Sequence, residues 1–517
     1  MAKGKQNMAK VATLLSFVSM FSLIFSFVQE SVFAYFFGAS QLTDAYNVAI
    51  QIPITVFSLI STGITNIVIP CYSKELYKKD RESAKRYASN LISIITFVSL
   101  ILIVVGELFG NYIVLVFAPG MGGMARECAT NVFRLVLPTI LLTEIMNINI
   151  GILNVHKSFI LPSITSNLLN VSFVTCVALL QGRFGIYAAV TGTIIGTAIE
   201  FLYTEVLRRR YMKYKFIVDF HDETMLQSFK MAIPIFLGIS ATEINKLVDR
   251  IVASFLQEGS ISVLNYATKL SSALSTLLVT GVSTVVYPEL AKYSAKDDKR
   301  TVARIFSKAI NIYIIILIPT IAGIGVLGEE AIKIVYGRGA FTMETVRRTS
   351  PLFFCYAICL IFTCFRQVSS RVFYSAGDSK TPMKNSMIGI AINIVLNIVL
   401  GYYIGAIGLA LATTISAMVI SFLLFVEIKK DNEFVNYKSN LKLAGKCLFA
   451  TMIMTMIICA VKKVALVFEI YNIEDMWSTI VFGIVVSLFG AGIYFILLII
   501  EKVEELDIIL NKIRRRK

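Results

Sequence analysis

The chain has 517 residues, 56% of them hydrophobic and only 16% charged, with a mean hydropathy of +0.75. A soluble chain carries roughly a quarter charged residues, so a soluble enzyme, a disordered protein and a disulfide scaffold are excluded. The net charge of +16, from 49 Lys+Arg against 33 Asp+Glu, reads in a membrane protein as a positive-inside bias and attraction to lipid head groups, not as nucleic-acid binding.

In chain order, residues 1–10 are basic and run straight into an apolar segment with no small-residue cleavage site, which predicts a retained first helix. Fourteen apolar runs follow, near 11–37, 45–70, 88–117, 131–155, 160–181, 184–206, 228–256, 262–288, 305–327, 350–374, 382–403, 405–427, 441–461 and 478–500. At about 20 residues per span, fourteen spans use about 280 residues, a little over half the chain. The predicted class is all-α, a polytopic membrane protein of about fourteen transmembrane helices.

Alternate loops differ in basic content. The second–third loop holds Lys74, Lys78, Lys79, Arg81, Lys85 and Arg86, the sixth–seventh Arg208, Arg209, Arg210, Lys213 and Lys215, and the tail Arg514, Arg515 and Arg516. The eighth–ninth holds Lys292, Lys296, Lys299 and Arg300, while the loops near Gly38, Gly182, Gly259 and Gly405 are nearly bare. Exceptions are the loop with Arg338, Arg347 and Arg348 and the one with Lys462 and Lys463. The pattern places both termini in the cytoplasm.

The chain also resembles itself at an offset of about 220. STGITNIVIPCYSK, with Gly63 and Pro70, reads against VTGVSTVVYPELAK, with Gly281 and Pro288; Tyr46 pairs with Tyr266, Pro162 with Pro382, and FGIYAAVTGTI at Gly185 with IGLALATTI at Gly408. A duplicated unit of six spans keeps its orientation, so two pseudo-symmetric six-helix lobes around a central cavity are expected, plus two C-terminal helices. The predicted divisions are 1–219, 220–430 and 431–517.

Polar and ionisable groups at bilayer depth are costly and face a cavity or a partner. They are Gln29 and Glu30 in the first span, Glu144 with Asn147 in the fourth, Glu243, Lys246, Asp249 and Arg250 in the seventh, Lys269 in the eighth, and Arg366 and Arg371 in the tenth. Gln29, Glu30, Lys246, Arg250, Lys269 and Arg366 are the candidate substrate-binding residues; a Glu243–Lys246 salt bridge and a snorkelling Arg371 are the bland alternatives. Asp249, Asn393, Asn397 and Thr413 offer oxygen ligands for a Na⁺ ion, against the commoner use of Asn and Thr as interhelical hydrogen bonds. The last two spans are either peripheral packing or a hydrophobic groove for a long lipid tail.

Eight scattered cysteines without a CxxC pair, and only His156 and His221, assemble no zinc site. No phosphate loop, catalytic carboxylate pair or nucleophile elbow stands out. A transporter is expected rather than an enzyme.

The segment FSLIFSFVQESVFAYFFGASQLTDAYNVAIQIP at 21–53 resembles the first-span signature of the MurJ (MviN) lipid II flippases, of the multidrug/oligosaccharidyl-lipid/polysaccharide exporter superfamily. The similarity continues through ILNVHKSFILPSITSNLLN at 152–170, ASFLQEGSISVLNYATKL at 253–270, YGRGAFTMETV at 336–346 and FYSAGDSKTPMKNS at 373–386. It implies a flippase for the undecaprenyl-diphosphate-linked peptidoglycan precursor, acting by alternating access in a bacterial cytoplasmic membrane. The expected partners are that lipid and the surrounding membrane lipids, and the expected state is a monomer. The family's arginines fall at positions occupied here by Leu23, Gln29 and one near Phe57, while Glu30 and Lys269 keep its acidic and basic positions. The alternatives are another polyprenyl-linked oligosaccharide, drug antiport by cation exchange, or a non-transporting membrane scaffold.

Overall fold

The computed structural model describes residues 2–431, 434 and 437–503. The tail arginines Arg514, Arg515 and Arg516 lie outside these residues, as do the side chains of 2–13, 15, 16, 57–66, 78, 232–242 and 279–285, with the basic N-terminal segment, Phe57, Gly63 and Gly281 among them. Sixteen α-helices and one π-helical turn account for nearly all of the described chain. Each of the fourteen predicted runs falls within one helix or one helix pair, overrunning its ends by at most three residues. Ten described helices are long and apolar enough to cross a membrane, and eleven if the bent pair Gly123–Val136 and Thr139–Val155 makes one span. An all-helical chain is the expected solution at membrane depth, because a helix satisfies its backbone groups internally.

The chain divides into two compact units, residues 1–262 and 263–517. The first contains α1 (Ala2–Phe37), α2 (Gln41–Lys74), α3 (Arg81–Phe117), α4 (Gly123–Val136), α5 (Thr139–Val155), α6 (Ile160–Ser163), α7 (Thr165–Phe184), α8 (Tyr187–Arg209) and α9 (Glu223–Ser254). Within it α2 packs on α4, α5 and α9, and α8 on α5 and α7. The contact boundary lies beyond the sequence boundary at 220, so the seventh predicted run, α9, belongs by packing to the first unit.

The second unit takes most of α10 (Ser260–Ser294), then α11 (Lys299–Tyr336), α12 (Met343–Ser375), α13 (Lys380–Ile404), α14 (Ala406–Asp431), α15 (Tyr437–Val467) and α16 (Met476–Ile500). Its C-terminal pair is fastened to α11 by side chains that satisfy backbone groups α11 leaves open. Pro319 has no N–H to give the Ile315 carbonyl four residues back, and the buried Tyr494 hydroxyl of α16 donates to that carbonyl at 2.9 Å. Leu327 leaves helical geometry at φ −110°, ψ 19°, and Lys462 of α15 donates to the adjacent Val326 carbonyl at 2.8 Å.

The internal repeat is visible in the turns. Ser158 N–H donates to Leu153 O at 2.9 Å after Lys157 at φ +61°, and Asp378 N–H to Phe373 O at 2.9 Å after Gly377 at φ +80°. Gly185 and Gly405 close α7 and α13 at φ +53° and +67°, each bonding four residues back. Asp80 and Asp298 each cap the next helix through a backbone amide three residues on. The sequence match of Gly185 with Gly408 is thereby corrected: the left-handed glycine of the second copy is Gly405. Gly408 serves packing instead, since a Cβ there would lie 2.1 Å from the Leu400 carbonyl oxygen.

Candidate functional site

In the first unit, the polar groups gather where α2 meets the α9–α10 junction. The buried carboxylate of Asp44 accepts from Gly259 N–H and Ser262 N–H, both at 2.7 Å, and from the Ser262 hydroxyl at 2.5 Å. An anion at the first turn of a helix is favoured by the unpaired amides there. Gly259 permits this approach: its φ is +80°, and a Cβ would fall 2.6 Å from the Ala39 carbonyl. Asn47, one turn after Asp44, donates to Ser262 Oγ at 3.3 Å, and Arg250 of α9 donates to the Asn47 carbonyl at 3.0 Å. The segments QLTDAYN and FLQEGS, about 215 residues apart in sequence, thus form one network. Asp44 escapes sequence reasoning because Thr-Asp at a helix start reads as an ordinary cap.

Of the predicted site residues of this unit, Arg250 joins that network. Glu30 is buried and Gln29 half-buried on α1. Lys246 pairs with the buried Glu243 at 2.8 Å while its own side chain stays half-exposed, so the bland reading of this pair is the observed geometry. Asp249 and Arg250 are half-buried. Glu144 is buried on α5, and the neighbouring Asn149 reaches Glu205 of α8 at 3.4 Å. Arg208, placed by sequence in the sixth–seventh loop, belongs instead to the last turn of α8, where it is 2% exposed and holds Glu205 at 2.5 Å. Glu205 sits three residues earlier on the same helix face, which is the signal that marks the pair.

In the second unit, Lys269 is exposed and Arg366 half-buried. Arg371 lies 4.9 Å from the Tyr287 ring centroid, a cation–π contact. Of the residues considered for Na⁺, Asn397 Nδ2 donates to Asn393 Oδ1 at 2.8 Å, and Thr413 Oγ1 donates to Leu409 O at 3.1 Å. One of the two lone pairs of Asn393 Oδ1 is thus taken by the Asn397 amide. Neighbouring α14 hydroxyls also stitch helices: Thr414 donates to Cys355 O at 3.0 Å and Ser416 to Gly389 O at 2.6 Å. Among the described residues, no group of three or more His, Cys, Asp or Glu is placed to hold a metal.

Between α11, α15 and α16 runs an apolar groove of about 410 Å³, lined by Ile316, Pro319, Gly323, Ile458, Ala491 and Phe495 among others. At one end of these helices, Glu330 is 1% exposed and pairs with Lys462 at 2.6 Å. Tyr471 adds a 3.0 Å bond to the same carboxylate, and Lys333 donates to the Ile473 carbonyl. The sequence treated Lys462 as an exception among bare loops; its charge is neutralised by a buried partner.

These features define a polytopic helical membrane protein with an internally repeated architecture. Its fold is that of an inward-facing multidrug-resistance MATE transporter of the MOP superfamily, at a TM-score of 0.69 and 13% identity, covering 80% of this chain and 95% of that one. More specifically, the chain belongs to the MurJ family: the model described as lipid II flippase MurJ matches residues 33–474. A lipid II flippase MurJ structure in an inward closed conformation superposes at a TM-score of 0.79 and 26% identity, covering 94% of this chain and all of that one. Probable lipid II flippases MurJ from Aquifex aeolicus and Rickettsia prowazekii are 28% and 24% identical, covering 74% and 92% of this chain and 76% and 95% of theirs.

Proposed function

We propose that the protein is a lipid II flippase of the bacterial cytoplasmic membrane, with both termini in the cytoplasm, serving peptidoglycan assembly. The observation that carries this reading is the family match over residues 33–474 together with near-complete coverage of a MurJ structure. The substrate joins a charged diphosphate head to a long polyprenyl tail, and the chain offers a place for each part. Arg250, Lys269 and Arg366 supply cations for the head, while Lys246 is engaged by Glu243. Arg250 spends one N–H on the Asn47 carbonyl and keeps the rest of its fork for phosphate oxygens. The groove along α11, α15 and α16 takes part of the tail. Two six-helix lobes, with the groove helices added, would then expose the head to each face in turn.

One observation favours a second reading. Leu23 and Gln29 stand in the first span where the family carries arginines, so the phosphates lose cations from that side, and a different polyprenyl-linked oligosaccharide becomes the competing substrate. Expression in a strain depleted of its own lipid II flippase separates the two. Rescue of growth is expected; failure to rescue despite normal membrane insertion would shift the substrate to the second class.

A further inference from the structure

At the basic end of the first unit, the α8–α9 linker is laid along α3 by a row of small polar side chains. Alternate amides point at α3: Lys215 N–H donates to Ser89 Oγ and Ile217 N–H to Ser93 Oγ, both at 3.3 Å, and Asp219 N–H to Asn90 Oδ1 at 2.8 Å. Asn90 returns a bond to Asp219 O at 2.7 Å, and Arg86 pairs with the Asp219 carboxylate at 3.3 Å. This two-residue alternation is that of extended chain. Ser89, Asn90 and Ser93 thereby satisfy backbone amides that a lipid environment would leave unpaired.

Two independent features meet at this strap. First, Tyr214, Phe216, Val218 and Phe220 are all exposed, Phe216 to 78%. The same α3 also exposes Phe97, Leu100, Ile101 and Val104, and both sets have the composition of a surface that meets lipid. Second, the strap borders a cavity of about 740 Å³ with seven cations and two carboxylates in its lining. Asp80 is occupied by the Ser83 amide at 2.6 Å and Glu82 by Lys85 at 3.0 Å. Among the described residues, Arg81, Arg210 and Lys213 have no carboxylate within ion-pair distance. Aromatic side chains beside a cluster of cations suit the boundary between acyl chains and anionic head groups.

We propose that this strap and cavity form a binding site for an anionic phospholipid, with the phosphate held by Arg81, Arg210 and Lys213 and an acyl chain against Phe216 and Phe220. The site uses none of the residues assigned above to the transported lipid. Each cation near an anionic head group favours it by about fivefold, so the preference over a zwitterionic lipid is at least of that order.

The test uses full-length protein carrying Phe216→Trp, with the single native tryptophan, Trp477, replaced by Phe. The protein is placed in phosphatidylcholine nanodiscs containing equal fractions of acyl-brominated phosphatidylglycerol or acyl-brominated phosphatidylcholine. Brominated phosphatidylglycerol is expected beside the new indole with an occupancy about fivefold or more above that of phosphatidylcholine. The triple change Arg81→Gln, Arg210→Gln, Lys213→Gln is expected to abolish that preference. If the triple variant does not purify as a single species, Lys213→Gln alone should lower the preference by about fivefold. Equal quenching by the two lipids, or a preference that survives the substitutions, overturns the proposal. A soluble ligand is tested with inorganic phosphate in phosphatidylcholine-only nanodiscs: no saturable change in emission is expected, and a saturable change lost with the cations would overturn the lipid assignment.

Discussion

Lys462 of α15 and Glu330 of α11 form a buried ion pair at 2.6 Å, and the same ammonium donates to the Val326 carbonyl beside the break at Leu327. One side chain therefore neutralises a carboxylate that is 1% exposed and completes a backbone interrupted by the kink. Removing it should leave an uncompensated buried charge, at about 3 kcal/mol. Lys462→Met is expected to lower the thermal unfolding temperature in detergent, and adding Glu330→Gln should recover part of the loss. An unchanged melting temperature in the single variant would contradict the assignment.

Asp44 carries three bonds at the α9–α10 junction. Bonds to a charged acceptor contribute roughly 1.5–3 kcal/mol each, though the amides regain partners on relaxation. Asp44→Ala is expected to destabilise the protein by about 3 kcal/mol, and Asp44→Asn, which keeps one acceptor oxygen, by clearly less. Thermal unfolding of both variants checks the order; equal effects would show that the geometry of the acceptor is irrelevant.

The predicted runs and the repeat were legible because hydropathy and offset are properties of the linear chain. Alternating loop charge was equally readable. Pairings such as Glu330–Lys462 and Asp44–Ser262 were not, because tertiary packing chooses the partner over 132 and 218 residues respectively. The shift from Gly408 to Gly405 has a local cause. A glycine needed for a positive φ and one needed for a close backbone approach look alike in sequence, and here they lie three residues apart. In the candidate site, the residue types of α9 were legible, whereas the commitment of Arg250 to the Asn47 carbonyl was not.

His156 lies beyond the end of α5, stacked on Tyr211 at 4.2 Å, with the Tyr72 hydroxyl 3.3 Å from its Nε2. Burial, and then the Arg81 cation, hold the imidazole below its ordinary value of 6.5. The unfolded chain thus binds this proton more tightly than the folded one. Stability linked to the neutral ring is fully present above about pH 6.5 and is lost as pH falls through the lower folded value. Melting temperatures of the native protein and of His156→Gln, measured from about pH 8 to about pH 5, should show a steeper acid-side decline in the native protein. Parallel curves would exclude the coupling.

If Arg250 and Lys269 carry the phosphate charge, Arg250→Gln with Lys269→Gln should reduce rescue of a flippase-depleted strain at unchanged expression. Each lost charge-assisted bond costs about 1.5–3 kcal/mol, or roughly tenfold or more. Full rescue by the double variant would remove both residues from the binding scheme.

The most direct test of the central claim is reconstitution of the purified protein in proteoliposomes with head-labelled lipid II on one leaflet. Transfer is read as label becoming accessible to a membrane-impermeant quencher on the other. The flippase reading predicts protein-dependent transfer of lipid II that exceeds transfer of a labelled phospholipid control and falls when Arg250 and Lys269 are both neutralised. Transfer no faster than in protein-free vesicles, or equal transfer of both lipids, would contradict it.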